Sequence, residues 1–260
     1  MQGTVEDALA TLRGGQRVDL TVAGRTDRGV HAWAQVASYE GEPVSVRGLN
    51  AVLPEDVAVL SCEAAHDGFD ARRDATSRTY CYRIHRRRTR SVFEQRRALH
   101  WPHRLDVERL HACAALLAGV HDFTAFTPTE TDHVHFTRGI ELAEWREQGE
   151  RLEFWIRADA FLRNMIRVLV GTMLEVGQQR RTLEDFAALL EGAPRAAAGP
   201  TAPPHGLYFA AVGYPTAAER HGLERGAAAP ESVEEHDEGD DRQHEEDRVH
   251  DRAAGDGDDQ

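Results

Sequence analysis

A glycine-flanked turn at the end of an apolar strand, residues 23–32 (AGRTDRGVHA), constrains this sequence most. In the preceding segment, residues 17–22, apolar and polar residues alternate with the period of a half-buried strand. Gly24 and Gly29 permit backbone angles that are closed to other residues, so the chain can turn sharply between them. Asp27 therefore lies where folds present reactive groups to a cleft. By itself, an aspartate in a turn is more often a capping or Asx-turn residue.

Helical and strand periodicities interleave over the first 215 residues, and no Gly-rich phosphate loop accompanies them. This pattern predicts an α+β fold with two antiparallel sheets backed by helices, divided between residues 1–100 and 101–215. The predicted strands are residues 17–22, 33–39, 79–84, 139–143, 152–156 and 206–212. The predicted helices are a first one capped by Thr4, one capped by Asp106 and running to Ala118, residues 161–176, and one beginning at Thr182.

Residues 216–260 differ from the rest of the chain in charge. They contain sixteen acidic residues and five arginines, so they account for most of the net charge of −13 of the whole chain. They contain almost no large apolar side chains and cannot bury enough surface to order themselves. We predict that this segment is a disordered, solvating acidic tail.

Composition points to a reducing, cytoplasmic environment. The three cysteines, Cys62, Cys81 and Cys113, are widely spaced and form no CxxC pair, so neither a disulfide framework nor a zinc site is indicated. No apolar run reaches the length of a membrane span, and the N-terminus lacks the pattern of a signal peptide. The chain has no lysine, which high genomic GC content explains, and its acid-rich balance suits a salt-rich cytoplasm such as that of a halophilic archaeon.

An arginine-dense stretch, residues 83–97, is the clearest indication of a partner. Its seven arginines are interleaved with one histidine and one phenylalanine. Such runs are as often solvated faces, but guanidinium groups beside stackable rings also suit a phosphate backbone and unstacked bases. Tyr80, in the predicted strand just before this stretch, is either an ordinary strand tyrosine or a ring for a base.

Two further sets of side chains are candidates for a functional site. His121, Asp122, His133 and His135 share no helix face and no zinc-ligand spacing, so a metal site is not favoured. Arg163 and Arg167 lie four residues apart on one predicted helix, which by itself indicates a solvent-facing pair. Arg167, however, adjoins the apolar stripe of that helix. A half-buried arginine needs a carboxylate partner, which it would keep ionised.

Six motifs, in order, resemble the TruA family of tRNA pseudouridine synthases. They are AGRTDRGVHAWAQVASY, LNAVLPEDVAV, FDARRDATSRTYCYRI, GVHDFTAF, DAFLRNMIRVLVGTMLEVG and GLYFAAVGYP, and together they extend over roughly residues 3–215. Six ordered motifs are far less often accidental than one. The resemblance implies isomerisation of uridine to pseudouridine in the anticodon stem-loop of tRNA, at position 38, 39 or 40, by a homodimer with no cofactor. It also implies that the two α+β subdomains are similar and flank a basic RNA-binding cleft.

The resemblance also assigns roles to individual residues. Asp27 of the GRTD motif is the essential catalytic residue, and Tyr80 of the RxYxY segment stacks on the target base. Arg167 pairs with the aspartate, and Arg25 assists in displacing the base. Such a carboxylate must be ionised and desolvated, and a base that leaves its stack needs a ring to replace the lost stacking.

Two features depart from the family pattern. Arg28 stands where bacterial members commonly have alanine, and its side chain either contacts a phosphate or points to solvent. The sequence also opens at MQGTVEDAL, without the strand and YDG…GxQ segment with which family members begin. Either the start is placed too late, which we favour, or the first sheet lacks a strand and exposes an edge.

Two rival functions belong to other classes. One is a non-catalytic RNA-binding module that has the cleft but no turnover. The other, less favoured, is a metal-dependent hydrolase built on the histidines and aspartate named above.

Overall fold

A seven-stranded mixed sheet forms the centre of the fold. The computed structural model describes residues 1–131, 134–216 and 219, and every element below lies in that part of the chain. The strands are β1 (Thr21–Val22), β2 (His31–Ala32), β3 (Ala37–Ser38), β4 (Ser77–His85), β5 (Leu99–His100), β6 (Gly119–Asp122), β7 (Thr137–Gln148), β8 (Arg151–Ala158) and β9 (Leu207–Gly213). The helices are α1 (Gln2–Leu12), α2 (Val46–Val52), α3 (Val107–Leu116), α4 (Met165–Gly177) and α5 (Leu183–Ala188).

Strand β4 is the organising strand of the large sheet. The spatial order is β2-β9-β4-β8-β7-β6, and β5 also pairs with β4. The pairs β4–β8, β4–β9, β7–β8 and β6–β7 are antiparallel, whereas β2–β9 and β4–β5 are parallel. Strands β1 and β3 form a separate two-stranded antiparallel sheet. The α+β class is confirmed. The subdomain boundary at residue 100 stays a prediction, and the large sheet takes strands from both sides of it.

Helix α4 lies at the centre of the main core. The predicted apolar stripe of this helix is buried, and so are residues on its other sides, including Val170 and Thr172. A second segment, residues 199–202, packs along the helix: the backbone N–H of Gly199 donates to Thr172 Oγ1 (3.0 Å), and that of Ala202 to the Arg167 carbonyl (3.0 Å). The helix is thus covered on nearly all sides, which fixes the position of the side chains in its first turn.

The helix begins later than its periodicity predicts. Asn164 has a φ of 60° and lies in the left-handed region, so residues 161–164 form a turn rather than the first helical turn. Leu162 is buried all the same, because this turn packs on the same core as the helix. Apolar spacing predicted the burial, but it could not predict the break in backbone geometry.

The N-terminal part has a smaller core and shorter strands than predicted. Helix α1 begins at Gln2, so the Thr4 cap was wrong. Only Thr21 and Val22 of residues 17–22 pair as a strand. The Leu20 backbone is bound instead by helix α1: its N–H donates to the Glu6 carboxylate (3.0 Å), and its carbonyl accepts from the Gln2 amide (2.9 Å). Side chains of α1 therefore replace part of a strand ladder.

The C-terminal elements agree best with the sequence pattern. Asp106 caps α3 by accepting from the Arg109 N–H, and Thr182 and Asp185 form the predicted capping box of α5. The strands predicted at residues 79–84, 139–143, 152–156 and 206–212 correspond to β4, β7, β8 and β9. The predicted tail falls outside the described residues except at Thr216 and Glu219. Among described helices, none is long and apolar enough to cross a membrane.

We expect Gly171→Ala to destabilise the fold. A Cβ at Gly171 would collide with the Pro200 carbonyl oxygen, a backbone atom in the segment that packs on α4. The backbone would have to shift, at a cost of about 1–3 kcal/mol in the free energy of unfolding. Gly3→Ala is the control, since a Cβ there meets no atom within 4 Å and alanine is the better helix former. Thermal unfolding should show a lower Tm for the first variant alone; equal Tm values would contradict the packing described.

Candidate active site

A cavity of about 870 Å³ opens beside the turn that contains Asp27. Its walls come from five parts of the chain: residues 21–30 with the turn, residues 70–73, strand β4, residues 160–167 at the start of helix α4, and Leu207 of β9. The four predicted site residues all line it: Asp27, Tyr80, Arg25 and Arg167. The fold therefore brings together residues as far apart in sequence as Asp27 and Arg167.

Asp27 and Arg167 form an ion pair in this cavity. Arg167 Nη1 donates to Asp27 Oδ2 over 3.1 Å. The same guanidinium donates to the Ala202 carbonyl (2.8 Å) and to the Asn164 side-chain oxygen (2.9 Å). The Asp27 side chain is 42% exposed, whereas that of Arg167 is 16% exposed. A fixed, largely buried cation thus holds a carboxylate that remains accessible from the cavity, as the apolar position of Arg167 in the sequence predicted.

The turn around Asp27 is held by backbone geometry and close packing. Gly29 has a φ of 89°, which favours glycine, and the Val30 N–H donates to the Asp27 carbonyl (3.0 Å). At the other end, the Gly24 carbonyl accepts from the Gln35 amide (2.7 Å), and a Cβ at Gly24 would lie 3.4 Å from the Phe209 ring. Strand β2 follows the turn and pairs with β9, so the turn is fixed on both sides.

Tyr80 forms part of the cavity wall and is mostly buried. Its ring packs edge-to-face on Phe161, with ring centroids 5.2 Å apart, and against Phe209 at 4.8 Å. Burial raises the pKa of its phenol well above the ordinary value, so the hydroxyl stays neutral. Tyr80 thus packs on the core edge and also lines the cavity, and its use as a ring for a base stays a prediction.

Arg25 lies on the exposed rim of the cavity. Within the described part of the chain, its guanidinium makes no hydrogen bond or ion pair, so it is available to a ligand. Arg28 is exposed as well, but it is not among the residues that line the cavity.

Arg78 is a cavity residue that the sequence reasoning missed. Its guanidinium donates to the carbonyls of Arg72 (2.6 Å), Ala75 (3.0 Å), Asp159 (2.8 Å) and Ala23 (two bonds of 3.4 Å). It therefore connects the strand before the Asp27 turn to two other walls. Strand alternation was the available signal, because it places Arg78 on the same face of β4 as Tyr80.

The arginine-dense stretch, residues 83–97, divides into two sets. Three of its arginines pair with glutamates: Arg83 with Glu94 and Glu153, Arg86 with Glu147, and Arg87 with Glu150. The other four have no acidic partner among the residues described, namely Arg88, Arg90, Arg96 and Arg97. Phe93 lies among them and is 85% exposed. The stretch begins at the end of β4 away from Tyr80, so it is a surface separate from the cavity.

Two of the residues considered as metal ligands, Asp122 and His121, have partners nearby in the sequence. Asp122 Oδ1 accepts from the N–H and the hydroxyl of Thr124 (2.8 and 2.6 Å), and the His121 ring bonds the Ala118 carbonyl (3.0 Å). His133 lies outside the described residues. Within them, no group of three or more histidine, cysteine or acidic residues is placed to hold a metal ion. The structure thus offers the hydrolase hypothesis no assembled set of ligands.

Comparison with known proteins agrees with this geometry. A family model described as tRNA pseudouridine synthase matches residues 113–215. The tRNA pseudouridine synthase A of Bacillus pumilus (strain SAFR-032) is 37% identical over 221 residues, which cover 82% of this chain and 89% of that protein. That of Bacillus subtilis (strain 168) is 38% identical over 221 residues, with the same coverage. That of Myxococcus xanthus is 42% identical over 222 residues, covering 82% and 83%.

These relatives are bacterial, so they give no support to an archaeal, halophilic origin, which stays a prediction. Their similarity extends over 82% of this chain. The chain belongs to the TruA-type tRNA pseudouridine synthase family, whose members are isomerases.

Proposed function

We propose that this enzyme isomerises uridine to pseudouridine in the anticodon stem-loop of tRNA, at position 38, 39 or 40, with Asp27 as the catalytic residue. The ion pair between Asp27 and Arg167 in an open cavity is the observation that supports this proposal most. It fixes a carboxylate that remains accessible where a nucleotide can enter.

The reaction exchanges one bond for another within the nucleotide. The C1′–N1 bond breaks, the uracil rotates, and a C1′–C5 bond forms; C5 then loses its proton and N1 gains one. Asp27 starts this sequence either by attacking C1′ or the base, or by drawing a proton from C2′. Arg167 holds the carboxylate in position in each case, and no oxidant or reductant is needed.

The other predicted site residues serve to bind the nucleotide. The part of the Tyr80 ring that faces the cavity supplies the apolar contact that a base loses when it leaves its stack. Arg25, free on the rim, assists in displacing the base. The unpaired arginines of residues 83–97, with the exposed Phe93, bind the RNA backbone away from the cavity.

The assembly and location follow from the family. We expect a homodimer, because the resemblance to the family implies one. We expect it in the cytoplasm, because the three widely spaced cysteines favour a reducing compartment. Sedimentation of the purified chain tests the oligomeric state.

We expect the purified chain to release tritium from C5 when it is given tRNA labelled with 5-tritiated uridine. The matched control is the same tRNA with cytidine at positions 38–40, which should release none above background. Sequencing of pseudouridines in the product assigns the position. RNA binding without tritium release would favour the non-catalytic module, and activity that a chelator destroys would favour the hydrolase.

A further inference from the structure

The cavity has an excess of positive charge. Two aspartates line it, Asp27 and Asp70, against six arginines: Arg25, Arg72, Arg73, Arg78, Arg163 and Arg167. An uncharged base such as uracil does not need four excess charges. The excess indicates that the cavity also binds anionic groups.

Three of the six arginines have partners within the protein. Arg167 pairs with Asp27, Arg73 pairs with Asp74 (3.0 Å), and Arg78 is bound by backbone carbonyls. The remaining three, including Arg25, are exposed, and within the described residues their guanidinium groups have no hydrogen bond or ion pair. Of these three arginines, Arg72 and Arg163 have no role in the proposed function.

The backbones of Arg72 and Arg163 are fixed, although their guanidinium groups are free. The Arg72 N–H donates to Asp70 Oδ1 (2.8 Å), and its carbonyl accepts from Arg78 (2.6 Å). The Arg163 carbonyl accepts from Thr127 Oγ1 (3.1 Å). Both residues therefore project from anchored positions on separate walls. Binding of a ligand then restricts only the conformational freedom of the two side chains and not that of the backbone.

We propose that Arg72 and Arg163 bind the two phosphodiester groups that flank the target uridine. This inference rests on the proposed function. A guanidinium fork matches phosphate oxygens, and a nucleotide within a chain has one phosphodiester on each side of its sugar. Two free arginines on different walls of the cavity that contains Asp27 correspond to that arrangement. They fix the ribose over the carboxylate without reading the base.

The test compares Arg72→Gln and Arg163→Gln with Arg47→Gln. Arg47 is exposed on α2 and is not a cavity residue, so its variant removes the same charge elsewhere. Each cavity variant should raise KM for tRNA about 10-fold with kcat within about twofold, and should lower the slope of log KM against log salt by about one. The Arg47 variant should change neither. Arg72→Lys and Arg163→Lys should recover the salt slope, because they keep the charge.

The outcomes separate this proposal from the proposed function. If the wild-type chain releases no tritium, the proposed function fails and the phosphate contacts fail with it. If the wild type is active but both glutamine variants keep its KM and salt slope, only the phosphate contacts are overturned. A loss of kcat at unchanged KM also overturns them. Unchanged Tm values are expected for Arg72→Gln and Arg163→Gln, since within the described residues neither guanidinium has a hydrogen bond or ion pair to lose.

Discussion

Asp27→Asn is expected to reduce tritium release by on the order of 10³-fold or more without unfolding the protein. The amide has the shape of the carboxylate and can still accept from Arg167, but it has no charge with which to attack carbon or draw a proton. The Asp27 side chain is 42% exposed, so losing the ion pair should cost at most about 1 kcal/mol in the free energy of unfolding. Single-turnover tritium release, thermal unfolding and tRNA binding together measure the effect.

Asp19→Asn is the matched control for this variant. Asp19 also pairs with an arginine, Arg17 (2.9 Å), but the pair is fully on the surface and away from the cavity. Its activity should equal that of the wild type. Turnover that survives in Asp27→Asn would refute the assignment of Asp27, whereas an inactive Asp19→Asn would show that the assay reports something other than cavity chemistry.

Arg78→Met is expected to lower kcat by about 10²-fold and the free energy of unfolding by about 2–4 kcal/mol. Methionine fills part of the space but donates nothing, so the carbonyls of Ala23, Arg72 and Asp159 lose a shared charged donor. Ala23 directly precedes Gly24 of the turn that contains Asp27. The turn would then move relative to the wall that contains Arg167, and a displacement of 1 Å is enough for a loss of this size.

Arg83→Met separates catalysis from stability. Arg83 lies on the same strand, β4, but pairs with Glu94 and Glu153 on the other face of the sheet. Its loss should also lower Tm, because two largely buried carboxylates lose one of their two arginine partners among the described residues and keep Arg151. We expect kcat to fall only in Arg78→Met when both variants are assayed well below their Tm. Equal kcat losses would reduce Arg78 to a stabilising residue, and unchanged KM in Arg78→Met would agree with a positioning role.

Strand β4 and much of the chain after residue 100 follow from local sequence pattern. Alternation in residues 79–84 and 206–212 and the side-chain caps at Asp106 and Thr182 correspond directly to elements of the structure. Their signals are local: a capping hydroxyl or carboxylate acts within three residues, and a strand face repeats every two. The charged partner of Arg167 was predictable in kind, because an arginine beside an apolar stripe requires an acid.

What could not be predicted depends on distant parts of the chain. Nothing in residues 17–22 indicates that Glu6 and Gln2 of a helix would bind the Leu20 backbone in place of a strand. The left-handed conformation of Asn164 is likewise imposed by its surroundings. The contacts of Arg78 could not be predicted either, because its four partners are backbone carbonyls, which leave no signature in the sequence.

The pairing of β2 with β9 sets the order in which the site is completed during synthesis. The turn with Asp27 is made early, but the strand that follows it pairs with Tyr208 and Phe209 at the end of the folded body. A ribosome-bound chain that has emerged as far as Arg167 already contains all four predicted site residues, but strand β2, which follows the turn, still lacks its partner β9. Such late, long-range pairing is slow to form. We therefore expect the Asp27 turn to take its final position only after β9 has emerged, later than any of the four residues themselves.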